Sequence, residues 1–482
     1  MTFNSQFRGI LFCLLLYACA KPESDKPVDP VVNPIVRLPS FQVTVKQRVP
    51  SSAIIEWTTV PNYSNADSVK YKVFLNNRLV DSNLTRTIDT LYNLSRDSVY
   101  QGRVIAYIKR GDTSSASFVL DKYTGFVYVE NRFFNKLECY SAYPNGISNQ
   151  PLWDTYLPDA ISRPTLSNDT LFLTRTLGSG TLIQAMNADS GKVLWSSTIN
   201  YWLPNEVSPT YYDGKLITSG GTVSLLNAAN GQVIWHSQNN YNDFGTNPVV
   251  DNGKIFVGNR TTAGHIAALN LTTGTVVWNF QCDGQINRRP LVANNLVIFG
   301  TSAAKVYALH QSTGAIAWTR DLSVQYNNHG ANSVSPILVN GSVIVHTANE
   351  GFYALNVATG ATKWIYPNDD PSVSSPVYGN GKLYFGTTVL VGSNYRSKLV
   401  ALNAVGGQAL WERTTGYAWL SDLVYAKDKL YARTYYDVVL FNGETGTGEG
   451  TLLRNGSAFT GYGVRINNTA YYTCEHGNYK TP

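Results

Sequence analysis

The residues that could do chemistry are few and stand apart. The chain of 482 residues holds six histidines, His236, His265, His310, His329, His346 and His476. None of them follows an H-x-x-x-H or H-E-x-x-H pattern, and none has the Cys/His spacing of a metal site. Of the five cysteines, Cys13 and Cys19 lie near the N-terminus, while Cys139, Cys282 and Cys474 are scattered with no vicinal pair. No acidic run has calcium-loop spacing, and Asp369-Asp370 reads as a solvated loop pair. A nucleophile elbow and a phosphate loop are both missing. The expectation is therefore no catalytic residue, no metal and no cofactor.

The aromatic residues are a different matter, because they recur. Trp153, Trp195, Trp235, Trp278, Trp318, Trp364 and Trp411 follow one another at 42, 40, 43, 40, 46 and 47 residues. Each of the last six lies four residues after a glycine: Gly191, Gly231, Gly274, Gly314, Gly360 or Gly407. Four residues before each glycine stands a turn-former, Asn187, Asn227, Asn270, His310, Asn356 or Asn403. An Asn folding its side chain onto its own backbone, then a Gly free to take positive φ, predicts two strands joined by a tight loop. In the first copy Asn149 takes the glycine position. An eighth copy has Asn442 and Gly446 but no Trp, and Leu452 is read as the substitute.

A second strand pair precedes each such hairpin. Opening strands are expected near residues 164, 208, 247, 289, 335, 375, 422 and 461, several after an X-Pro pair such as Ser208-Pro209 or Ser375-Pro376. Four short antiparallel strands per repeat of about 40 residues indicate a β-propeller rather than a helical solenoid. The copy at residues 125–157 lacks its opening strand, and residues 461–466 supply an orphan one. Pairing the two would close the ring without an open edge. Eight blades are expected, with seven as the alternative; a further strand near Ala470–Cys474 has no place. Cys139 and Cys474 fall in these two terminal segments, and a disulfide between them is a hypothesis.

Composition agrees with an all-β chain. Tyr (31) and Gly (39) abound while Met is nearly absent (2), which disfavours all-α, coiled-coil and collagen-like folds. A net charge of +6 with no long Lys/Arg cluster argues against a nucleic-acid partner.

Ahead of the repeats, residues 38–122 carry period-2 runs at 41–46, 53–58, 69–75, 86–89, 100–108 and 115–120, the pattern of an antiparallel sandwich. Trp57 and the Leu94-x-x-x-Ser98-x-Tyr100 stretch resemble the core Trp and tyrosine corner of a fibronectin type III domain. Residues 1–18 read as a signal peptide with an apolar run too short to span a bilayer. Leu16-Tyr17-Ala18-Cys19 resembles a bacterial lipobox, which implies a lipidated Cys19 and membrane attachment without a spanning helix. Residues 19–37, with Pro22, Pro27, Pro30 and Pro34, form an extended tether.

The motif series in 123–482 resembles the pyrroloquinoline-quinone-type (PQQ-type) propeller repeat. The stretch Gly351-Phe352-Tyr353-Ala354-Leu355-Asn356, followed by Thr359-Gly360-Ala361-Thr362-Lys363-Trp364, is a close copy. The resemblance implies that the seven repeat tryptophans dock blade against blade. Quinoprotein dehydrogenases of this type have a vicinal Cys-Cys disulfide, a calcium site and an Asp base; this chain departs from that pattern. Propeller plus lipid anchor resembles the BamB-like, non-enzymatic scaffold of outer-membrane barrel assembly. That resemblance implies a monomer at the outer membrane, facing periplasm or cell surface, with an envelope protein as partner. A glycan is the alternative partner, and a quinone enzyme is the third reading. Loops leading from a fourth strand to the next opening strand supply the candidate binding rim: Tyr201, Trp202, Arg288, Arg289, Tyr326, His329, Tyr417 and Trp419.

Overall fold

A computed structural model describes residues 38–49, 51–60, 68–95, 98–109, 111–121, 123, 125–131, 135–142, 150–158, 162–167, 169–177, 180–200, 207–237, 245–322, 334–347, 351–368, 374–417, 420–434, 437–454, 462–466 and 469–471. The signal, Cys19 and the tether lie outside them. Every regular element among the described residues is a strand, and no helix long and apolar enough to cross a membrane occurs among them. The strands fall into two compact units.

Ahead of the repeats lie a three-stranded sheet (Val43–Val49, Ser52–Trp57, Ile88–Leu91) and a four-stranded one ordered Arg78–Leu84, Lys70–Leu75, Tyr100–Tyr107, Thr113–Leu120. Alternate residues of Ser52–Trp57, and Tyr71 and Val73 of Lys70–Leu75, point inward, as period-2 patterning requires. The Trp57 ring lies 5.4 Å from Tyr71, whose hydroxyl accepts from Val60 N at 3.0 Å. Tyr100 is only half-buried at the start of its strand. The strand Arg78–Leu84 was not anticipated from its sequence. It is largely exposed, so it carries little apolar alternation. It is set by a two-residue turn in which Asn76 and Asn77 both take positive φ (47° and 64°), the backbone that matches hairpin twist.

The second unit contains seven four-stranded antiparallel sheets in chain order, at residues 165–199, 210–236, 249–281, 291–321, 337–367, 377–414 and 421–454. We number them sheets I to VII. A five-stranded sheet is ordered Trp153–Tyr156, Lys136–Ser141, Phe126–Asn131, Tyr462–Ile466, Thr469–Tyr471. It takes strands from both ends of the unit, and we call it the closing sheet. Tyr462–Arg465 pair antiparallel with Val129–Phe126. Thr469–Tyr471 hydrogen-bond to the free side of Tyr462–Ile466 as a fifth strand, which gives the unplaced strand its position.

Within sheets II to VII the first two strands are joined by two-residue turns with positive φ at both positions. Examples are Asn252-Gly253 and Asn380-Gly381, but also Asn294-Asn295 and Lys427-Asp428, where no glycine is present. The third and fourth strands are joined by the Asn-x-x-x-Gly loop. In sheet V, Asn356 Oδ1 accepts from Ala358 N (2.9 Å) and Thr359 N (3.1 Å), and Gly360 N donates to Asn356 O at 2.8 Å. The same bonds recur at Asn187, Asn270, Asn403 and Asn442. His310 keeps the backbone bond, from Gly314 N, at 2.8 Å.

The tryptophans join one sheet to the next. Nε1 of Trp153, Trp195, Trp235, Trp278 and Trp318 donates to Ala188, Ala228, Leu271, Gln311 and Val357 O, at 2.9–3.1 Å. Each acceptor follows the Asn position (Gln311 follows His310) of the succeeding sheet. The indole lies beneath that sheet's loop glycine: a Cβ on Gly360 would come within 2.6 Å of the Trp318 ring. Trp364 and Trp411 sit equally close under Gly407 and Gly446, yet their Nε1 atoms meet no acceptor among the described residues. Beside Trp411, the Tyr384 hydroxyl donates to Gly443 O, the carbonyl in register for that indole (3.0 Å).

The last sheet corrects one sequence expectation. In sheets I to VI the Trp pairs with the residue two before the loop Asn, as in Ala354↔Trp364. In sheet VII that partner, Leu440, faces Gly450 at φ 144°. Leu452 is therefore not the stand-in for Trp; the register leaves the indole site to glycine. The contact from sheet VII to the closing sheet is made otherwise. Val424, Ala426, Tyr431 and Leu440 pack with Val127, Val129 and Tyr140, and the Tyr431 hydroxyl donates to Ala142 O at 3.1 Å. The closing sheet in turn shares Leu137, Cys139 and Trp153 with Leu171 and Met186 of sheet I, so the run of sheets returns to its start. Cys139 is buried in this last cluster; Cys474 lies outside the described residues.

Candidate binding face

Connections from a fourth strand to the next first strand emerge at the same end of every sheet as the hairpin between second and third strands. The connection from sheet III to sheet IV, residues 282–290, is held from both sides. Sheet III contributes Asn259, whose carbonyl accepts from Ile286 N at 3.0 Å. Asn259 is itself fixed by His265, which donates its N–H to Oδ1 at 2.7 Å. Gly264 lies so close to Gly284 O that any Cβ would overlap it. Sheet IV contributes Ser302, which exchanges bonds with Gln285 through its hydroxyl (3.0 Å) and its N–H (2.9 Å).

Asp283 is the electrostatic centre of this connection. Lys305 Nζ lies 2.6 Å from one carboxylate oxygen, and Thr301 Oγ1 donates to the other at 3.2 Å. Burial opposes ionisation of Asp283, but hydrogen bonds from Lys305 and Tyr307 outweigh it and hold the carboxyl below its usual range. Burial and the adjoining Asp283 carboxylate raise the Tyr307 phenol well above its ordinary value. Arg288 and Arg289 follow on this braced loop, each half-buried. Planar guanidinium groups suit recognition of a carboxylate or an aromatic face.

Tyr417 belongs to the connection from sheet VI to sheet VII. Its backbone is fixed by Ser397 N to Tyr417 O (2.7 Å) and Tyr417 N to Thr415 Oγ1 (3.2 Å). Its ring is partly buried against the cluster of Tyr384, Leu399 and Leu420, so packing accounts for much of it. Arg288 and Arg289 thus share one connection, and Tyr417 sits on another, three sheets further on. Tyr201, Trp202, Tyr326, His329 and Trp419 lie outside the described residues.

Two features of this unit were not anticipated. The second and third strands of sheet VI run ten residues each, Lys382–Val391 and Asn394–Asn403. They carry Leu390, Val391 and Tyr395 outward at 59%, 49% and 67% exposure. The signal was the 47-residue gap before Trp411, the longest in the series. The other feature is a buried ion network. Asp422 lies 3.2 Å from Arg163 and 2.8 Å from Arg433.

Among the described residues no group of three His, Cys, Asp or Glu could hold a metal ion. His346 is buried with its ring 4.8 Å from Phe352, and His236 Nδ1 lies 2.8 Å from the Ser224 hydroxyl. Cys282 is a buried free thiol whose Sγ donates to Gly284 O at 3.2 Å. Burial pushes its thiol up to about 11. The thiolate is the reactive form, so Cys282 is expected to resist iodoacetamide at pH 8 in the folded protein and to react once the chain is denatured. Mass mapping of the alkylated peptide checks this; rapid labelling of the native thiol would contradict it.

Several known proteins share this architecture. The chain is 34% identical over 71 residues to the outer membrane protein assembly factor BamB of Shewanella oneidensis, which covers 15% of this chain and 18% of that one. It spans less than half the length of each curated relative it matches. A computationally designed protein, Ika8, superposes with a TM-score of 0.52 at 12% identity, covering 65% of this chain and 96% of the design. The quinohemoprotein alcohol dehydrogenase ADHIIG of Pseudomonas putida HK5 gives 0.50 at 14% identity, covering 64% and 69%. A relative named as an assembly factor thus matches in sequence and an alcohol dehydrogenase in fold, and fold alone does not choose a function. The family model described as outer membrane protein assembly factor BamB matches residues 145–236, 219–374 and 298–478, most of the chain, and the chain belongs to that family of β-propellers.

Proposed function

We propose that the protein is a lipid-anchored, non-enzymatic binding scaffold of the bacterial outer membrane. In this reading a fibronectin type III-like module carries an eight-bladed propeller whose partner is an envelope protein of outer-membrane protein assembly. Support for eight blades comes from the seven sheets and the closing sheet, each packed on the next. Support for a fibronectin-like module comes from the three- and four-stranded sheets around Trp57. The relatives that match in sequence include factors named for outer-membrane assembly, which favours a protein partner.

The observation that carries the non-enzymatic reading is the use made of the repeat's polar groups. Five of the seven repeat indole N–H groups and the loop Asn amides are engaged in holding loops and joining sheets, as are hydroxyls such as Thr210 Oγ1, which donates to Pro248 O at 2.9 Å. The connection bearing Arg288 and Arg289 is the part of this face proposed for the contact.

Crosslinking in intact cells followed by mass spectrometry tests the proposal. The expected product joins the propeller to an outer-membrane assembly protein. Arg288→Ala/Arg289→Ala is expected to lower its yield severalfold with an unchanged circular dichroism spectrum. Undiminished yield would move the contact off this loop. Binding to a glycan array with no protein crosslink would favour a glycan receptor, and a new absorbance band on adding quinone and calcium would favour an enzyme.

A further inference from the structure

The junction between sheet VII and the closing sheet is built unlike the others. Its register places Gly450 where sheets I to VI have a Trp, so no indole passes from sheet VII into the next sheet. The ladder joining the two ends of the unit is four residue pairs long. The first strand of sheet VII, Ser421–Ala426, packs beside Tyr462–Ile466 and Thr469–Tyr471 at this seam.

Asp422 lies in that first strand, within an irregularity between Ser421 and Val424, at a positive φ of 48°. Its carboxylate is buried. One oxygen lies 2.8 Å from Arg433 Nε, on the neighbouring strand of sheet VII. The other lies 3.2 Å from a guanidinium nitrogen of Arg163, in the lead-in to the first strand of sheet I. Sheet I lies on the far side of the closing sheet from sheet VII. The Arg163–Asp422 pair therefore joins the two neighbours of the closing sheet directly, past its inner strands. All three side chains are at least four-fifths buried. Such pairs resist screening by salt, and loss of one partner leaves an uncompensated buried charge.

We infer that Arg163, Asp422 and Arg433 form a clamp that keeps the circuit of sheets shut across the closing sheet, and that this seam is where the circuit opens first. The pair is a link from sheet VII to sheet I that does not pass through the closing sheet. Separation of Tyr462–Ile466 from Phe126–Asn131 would then expose the edge of Phe126–Asn131, a surface an added strand could pair with.

Amide hydrogen exchange of the full chain, read by mass spectrometry, tests the inference. In Asp422→Asn, exchange in peptides covering 126–131 and 462–466 is expected to accelerate at least tenfold, with sheets III and IV unchanged. Arg163→Met removes the arm that crosses the closing sheet and leaves Asp422–Arg433 in place. It is expected to give the same local pattern, and it supplies the readout if Asp422→Asn does not fold. Unchanged exchange at the seam, or equal acceleration in every sheet, would overturn the clamp.

Discussion

Gly360→Ala is expected to destabilise the protein by about 3 kcal/mol, whereas Gly381→Ala is expected to lower stability by only about 1 kcal/mol. Both glycines sit in the left-handed region, at φ 69° and 73°, so the backbone strain added by a Cβ is the same. Space separates them. A methyl at Gly381 meets nothing within 4 Å, while one at Gly360 comes within 2.6 Å of the Trp318 ring. That ring is packed between sheets IV and V and has nowhere to move. The difference between the two variants in urea unfolding thus isolates the docking overlap from the turn. Equal losses would mean that the loop glycine serves only its own backbone.

The reciprocal change removes the indole. Trp318→Ala is expected to lose about 3–5 kcal/mol, the range for deleting a large buried aromatic side chain. Trp364→Ala should fall in the same range, because the two rings are 8% and 9% exposed. Substitution by Phe should separate them. Trp318→Phe leaves the Val357 carbonyl without its donor, at a net cost of about 1 kcal/mol beyond lost area. Trp364→Phe removes a buried N–H that already lacks an acceptor, so that increment should be absent. Unfolding of the four variants by denaturant, at fixed pH, checks the comparison. Identical losses for the two Phe variants would show that the indole N–H contributes nothing to docking.

The repeat was legible because its requirements are local. An Asn four residues before a Gly specifies a loop whatever surrounds it, and the recurring interval located the start of every sheet to within about two residues. Legibility failed where tertiary context decides. The strand Arg78–Leu84 is edge-exposed and lacks a pattern; only the Asn76-Asn77 pair marks it. Position 452 is a different case: the spacing of four residues from Gly446 already points to Gly450, and the register, with the same bulge as in the other sheets, puts Gly450 at the Trp site. Arg163 and Asp422 are far apart in sequence, and neither belongs to the repeat consensus, so no spacing could join them. On the candidate face, Arg288 and Arg289 were recognisable as departures from the repeat. The bracing of their loop by Asn259, Ser302 and Asp283 was not, since those residues look like ordinary loop polars. Tyr417, also read as part of the rim, is half-buried against Tyr384, Leu399 and Leu420, a packing that its own sequence neighbourhood does not reveal.

The joint formed by a tryptophan and the following sheet's glycine also sets where this architecture can grow. A duplicated segment of one period placed between sheets II and VI brings its own indole and its own glycine, so both new joints are complete wherever the cut falls. The same segment placed after sheet VII meets Gly450 on its leading side and finds no indole to receive. A whole period gained in the middle of the array therefore keeps its indole–glycine joints, whereas one gained at the last junction must be received by other contacts, as the closing sheet is by Tyr431.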